Sequence, residues 1–105
     1  MTNEQKPSIY YVVFCTLKYR SFAEAKSEAA DKIAAHVERS KRLHASGVLV
    51  MAGAFLDKPD EPLSTMGVLT SRQAAEEYVK GDPFYFDGSM TKWAIREWAN
   101  MLAVA

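Results

Sequence analysis

Ile9-Tyr10-Tyr11-Val12-Val13-Phe14-Cys15 is apolar or aromatic at every position. β-Branched and aromatic side chains fit a pleated surface, and an unbroken apolar run suits a strand covered on both faces better than one alternating with solvent. Val48 to Phe55 (VLVMAGAF) has the same character and predicts a second strand, with Gly53 marking a bulge or a close approach. Leu56 to Leu63 holds Asp57, Pro59, Asp60, Glu61 and Pro62, the composition of an exposed acidic loop. The loop leads to a third strand over Ser64 to Leu69, so strands two and three are expected to form a hairpin. A last strand is expected around Lys92 to Trp98, with Met101 to Ala105 extending it or crossing to another chain.

Helical signals fill the two gaps. Ser21-Phe22-Ala23-Glu24 fits a capping box, in which the serine accepts from the third helical N–H and the glutamate reaches back. Steps of about 100° put Phe22, Ala29, Ile33, Val37, Ser40 and Leu43 on one stripe, and Gly47 supplies a left-handed stop. A helix that long in so small a chain predicts a break between Ser27 and Asp31. Thr70 and Ser71 can cap a second helix over Arg72 to Lys80, with Gln73 placed for a box. Gly81 then closes it and Asp82-Pro83 forbids continuation, leaving Phe84 to Gly88 as a loop.

The order βαββαβ predicts an α+β, ferredoxin-like fold: a four-stranded antiparallel sheet with two helices on one face. Strand one is apolar on both sides, and two helices cover only one. A two-fold homodimer, or a multiple of it, with sheet packed on sheet is the expected cover.

The 105 residues fit one domain, placed over residues 9–105 after a polar arm, residues 1–8, expected to be mobile. Charged residues at 25% and hydrophobic residues at 49% exclude a disordered tail or a fibrous chain. Thirteen basic against thirteen acidic residues leave no net charge to draw the chain to nucleic acid or an anionic membrane. No apolar run is long enough to cross a bilayer, nothing resembles a signal peptide, and the lone Cys15 excludes an intrachain disulfide. The chain therefore reads as soluble and cytoplasmic.

No Gly-rich phosphate loop, CxxC, HExxH or G-x-S-x-G occurs, so no metal or organic cofactor is expected. His36 and His44 lie eight residues apart, about 12 Å of helical rise, too far to share one ion. His44, in the last turn of its helix, suits a structural role as a cation near the helix C-terminus. His36, beside Ile33 and Val37, fits either a hydrogen-bonded core histidine or a functional one. A functional histidine needs an acceptor to set its tautomer, and Asp82, in a turn stiffened by Pro83, is the candidate. Cys15, within a strand, reads as an inert buried thiol.

His36 through Leu43, then Gly47-Val48-Leu49, Gly53, Ser71 through Ala75, Asp82-Pro83-Phe84, Gly88 and Trp98 resemble the YCII-related family. The pattern runs H-x6-L-x3-G-x-L-x3-G followed by DPF, and the likeness spans Tyr10 to Trp98. The resemblance implies a member of the dimeric α/β-barrel superfamily, a His–Asp pair at His36 and Asp82, and a pocket between helices and sheet. One departure is that Ile33 occupies a position where the family often has arginine.

These readings converge on a small cofactor-independent enzyme of isomerase or lyase type. His36 is its general acid/base, Asp82 orients His36, and the substrate is a small organic molecule, ring compounds included. Phe84, Tyr85 and Trp93 offer an aromatic wall for substrate binding. The alternative is a non-catalytic dimeric small-molecule binder or accessory protein.

Overall fold

The structure, a computed structural model, describes residues 8–102. Four strands, β1 (Ser8–Leu17), β2 (Leu49–Ala54), β3 (Ser64–Leu69) and β4 (Met90–Asn100), form one sheet in the order β2-β3-β1-β4, with every pair antiparallel. The helices are α1 (Phe22–Glu28), α2 (Ala30–Ala45), α3 (Arg72–Lys80) and the single turn α4 (Pro83–Phe86). This is the expected ferredoxin-like arrangement, with each of its two helical connections split in two.

The first split falls at Ala29, inside the expected interval. Ser21 caps α1 by accepting from Glu24 N–H. Ala25 and Ala29 then sink into a cluster with Leu17, Tyr19, Leu63 and Phe84. At Ala29 the backbone leaves the helical region (φ −138°, ψ 39°), and α2 sets off in a new direction. It ends as expected, with Gly47 at φ +83° and Val48 N–H donating to the Leu43 carbonyl.

Four local expectations are corrected. Residues 84–86 are helical because Asp82 caps a turn begun by Pro83, whose missing N–H costs nothing at that position. Gly53 marks no bulge; the register shifts between Leu49 and Met51. Ser71 rather than Thr70 caps α3, so Gln73 falls one position short of a box and bonds Glu77 instead. The last strand is longer than expected, pairing with β1 from Met90 to Asn100. Of the expected arm, residues 1–7 lie outside the described residues, whereas Ser8 opens β1. Met101 and Leu102 follow β4 as exposed non-strand residues, and residues 103–105 lie outside the description.

Side chains alternate across a strand. Val13 and Cys15 meet Leu69, Ala75, Tyr78 and Val79 under the helices. The even positions Tyr10, Val12 and Phe14 therefore turn to the other face, with Val68 and Met66 opposite them on β3.

α2 is the element that makes room. None of its residues is buried, so it stands off the β2–β3 half of the sheet. Three polar contacts at helical spacing hold it to the α3–α4 corner. Lys32 pairs with Asp87, His36 with Asp82, and Arg39 donates to the carbonyls of Tyr78 (2.8 Å) and Glu77 (2.6 Å). Gly81 admits the guanidinium, since a Cβ there would lie 2.5 Å from Arg39 Nη2.

Candidate active site

Between α2 and the sheet lies a cavity of about 550 Å³. That volume is ordinary for a small-molecule site. Its lining is mostly apolar: Leu17, Ile33, Val37, Leu49, Leu63, Phe84 and Met90 contribute, as does the length of β2.

His36 and Asp82, 46 residues apart in sequence, meet in its wall. Nδ1 of His36 lies 2.5 Å from Oδ2 of Asp82, whose residue is only 3% exposed. The other carboxylate oxygen accepts from Phe84 N–H at 2.8 Å. One carboxylate thus caps α4 and accepts a hydrogen bond from His36 Nδ1–H, so its position is fixed from two sides. With Nδ1–H directed at Asp82, the imidazole keeps the lone pair of Nε2, and among the described residues nothing hydrogen-bonds that atom. The His36 ring stands between Tyr78 and Phe84, with centroids at 6.3 and 6.2 Å.

The break at Ala29 is what brings the pair together. His36 comes six residues after the start of α2, about 9 Å along its axis, level with the α3–α4 corner. A straight helix from Ser21 would carry it about 22 Å along.

The remaining predicted residues separate. Phe84 is buried in the lining, edge-on to Tyr19 with centroids 6.1 Å apart. Tyr85 stacks edge-on with the exposed Phe86, and Trp93 lies opposite Cys15 on β4 and is 40% exposed. Neither Tyr85 nor Trp93 belongs to the cavity lining.

Sequence reasoning missed Tyr78, Ser40 and Thr65, which supply hydroxyl groups to the lining. Tyr78 lies against Gly67, where a Cβ would come within 3.1 Å of the ring. Burial pushes its phenol above the ordinary value, so it is a neutral donor at physiological pH. Tyr78 sits on the core stripe of α3, where periodicity signals packing and nothing in the local sequence marks a cavity. Cys15 also reaches the lining. Burial, reinforced by the nearby Asp82 charge, pushes its thiol up to about 11, which leaves it protonated and a poor nucleophile.

Over residues 9–99 the sequence matches the YCII-related domain. The chain belongs to the YCII-related family. The search of curated proteins found no match. Among solved structures, this YCII-related chain is similar to 5-chloro-2-hydroxyhydroquinone dehydrochlorinase from Burkholderia phenoliruptrix in complex with 2,5-dihydroxybenzoquinone. The TM-score is 0.59 at 18% identity, covering 85% of this chain and 92% of that one. A Mycobacterium tuberculosis protein, Rv0793, aligns with TM-score 0.53 at 16% identity over 93% of this chain and all of the other. A variant of SnoaB, a cofactor-independent oxygenase from Streptomyces nogalater, aligns with TM-score 0.50 at 12% identity, covering 91% and 95%. At these identities the likeness establishes the fold that the YCII-related chain shares with them. Among its described residues, no helix is long and apolar enough to cross a membrane.

Proposed function

We propose that this protein is a small-molecule enzyme of isomerase or lyase type in which His36 is the general acid/base. The observation that carries the reading is the His36 ring held by a buried carboxylate at Nδ1 while it lines an apolar cavity. Nε2 takes a proton from a carbon or hydroxyl of the substrate and returns it to another position or to a leaving group. Asp82 holds the tautomer and stabilises the imidazolium formed in between. The Tyr78 hydroxyl, neutral and in the same wall, is a donor for a substrate oxygen that gains negative charge. Phe84 is the aromatic contact for a ring; Tyr85 and Trp93, outside the lining, are left out of the proposed site. The dehydrochlorinase of the same fold, bound to a dihydroxybenzoquinone, makes hydroxylated ring compounds the first substrates to try. A second copy of the chain is proposed to cover the free sheet face.

Solvent-deuterium exchange at carbon, measured over a panel of hydroxyquinones and cyclic enols, tests the proton transfer without knowledge of the full reaction. His36→Gln is expected to lower the exchange by roughly 10² to 10⁴ while the fold persists. Asp82→Asn impairs the same step, and the double variant is no worse than His36→Gln alone, because the two side chains act as one unit. Undiminished exchange in folded His36→Gln sinks the reading. Binding by the wild type with no exchange and no turnover favours the non-catalytic alternative.

A further inference from the structure

The polar groups of the cavity are unevenly placed. His36, Asp82 and Tyr78 stand at its middle, and the end under Leu17, Leu63 and Met90 is apolar. At the opposite end, where α2 finishes, Lys41 and His44 join the lining. Lys41 forms no ion pair among the described residues; the four pairs there involve other cations. His44 directs Nδ1–H at the Leu49 carbonyl, 2.9 Å away, which ties the end of α2 to β2 and leaves Nε2 of the neutral ring as a lone-pair acceptor. The only carboxylate in the lining is Asp82, already engaged by His36 and Phe84 N–H. A cation would find no free partner there, whereas an anion finds the Lys41 ammonium.

We infer that Lys41 forms an anion-recognising subsite, so that the ligand of this cavity is an elongated, largely apolar molecule bearing a carboxylate at the end away from its reacting group. Along α2, Lys41 lies about 7.5 Å and His44 about 12 Å beyond His36. A substrate whose reacting oxygen or carbon meets His36 therefore needs roughly a fused-ring length between that atom and its carboxylate. The inference rests on the cavity being a ligand site, as proposed above, but not on His36 being catalytic.

The probes are 6-hydroxy-2-naphthoate and its uncharged amide, 6-hydroxy-2-naphthamide, titrated calorimetrically into wild type, Lys41→Gln, His44→Gln and His36→Gln. Wild type is expected to bind the carboxylate about tenfold more tightly than the amide at low ionic strength, with the preference shrinking as salt is added. Lys41→Gln, at an exposed position whose loss leaves packing intact, abolishes most of the preference. His44→Gln and His36→Gln preserve it. Equal affinities in wild type, no binding of either probe by folded wild type, or a preference that survives Lys41→Gln overturns the inference. Because these readouts are of binding, a catalytically silent His36 would fail the deuterium-exchange test without touching them.

Discussion

At the scale of single residues, one carboxylate does two jobs: Asp82 caps α4 through Phe84 N–H and accepts a hydrogen bond from His36 Nδ1–H. Asparagine at position 82 keeps the capping oxygen, so the fold should survive Asp82→Asn while the His36 tautomer is reversed. Nitrogen-15 spectra of the imidazole are expected to show predominantly Nδ1–H in the wild type and Nε2–H in the variant, where the amide NH2 donates to Nδ1; identical spectra would mean that the two groups do not communicate. Cys15 supplies a prediction of pH dependence. Its thiol is held up to about 11, so between about 9 and 11 the native state retains a proton that the unfolded chain releases. Stability contributed by the neutral thiol is complete below about 9 and is lost as pH rises through that window. The raised Tyr78 acts in the same direction at higher pH. Denaturant titrations at pH 8 and 10.5 should therefore show a smaller loss in Cys15→Ala than in the wild type.

At the scale of elements, α2 has no fully buried residue and is held by polar stitches together with partly buried Ile33 and Leu43. Arg39 closes two carbonyls at the end of α3, and Arg39→Ala is expected to cost about 1 to 2 kcal/mol, read from urea melts. Gly81→Ala should reproduce part of that loss by pushing the guanidinium off its carbonyls. The Lys32 ammonium holds the Asp87 carboxyl down at about 2. A depressed carboxyl stabilises the native state above the unfolded value near 4, and that contribution disappears as pH falls toward 2. Melting temperatures of wild type and Asp87→Asn should accordingly differ at pH 5 and converge near pH 2; a constant gap would show that the pair adds nothing. The benefit of holding α2 this way is the space beneath it, since a helix with an ordinary apolar stripe pressed on the sheet would fill the cavity.

At the scale of the whole molecule, the helices cover one face of the sheet; on the other, Val12 and Val68 are buried, and Tyr10, Phe14 and Met66 are half-buried. On the same face, Met51 and Trp98 are half exposed or more. Half-exposed apolar side chains on one sheet face suit an interface, and a self-complementary contact through a two-fold axis would cover them on both copies at once. Light scattering at micromolar concentration is expected to give a dimer or a multiple of it for the wild type. Phe14→Lys, which places a charge on that face and leaves the core under the helices untouched, should give a folded monomer. A monomeric wild type would remove the argument.

The sequence by itself determined the strands, their order and the helix-covered sheet, because continuous β-branched runs, Ser21, Ser71, Gly47 and Pro83 act through local backbone preference and apolar periodicity. It also named His36 and Asp82, through a family pattern in which residue type and order survive without coordinates. Ala29 was beyond its precision: alanine carries no breaking signal, and the bend follows from burying Ala25 and Ala29 against Tyr19 and Phe84, contacts that exist only after folding. For the same reason Tyr85 and Trp93 read as a wall that folding placed elsewhere, and Tyr78 and Lys41 carried no signal of a site until the tertiary structure set them around one cavity. Periodicity reports which side of an element a residue occupies; how far α2 stands from the sheet depends on long-range contacts between residues such as Arg39 and Tyr78, and that distance makes the site.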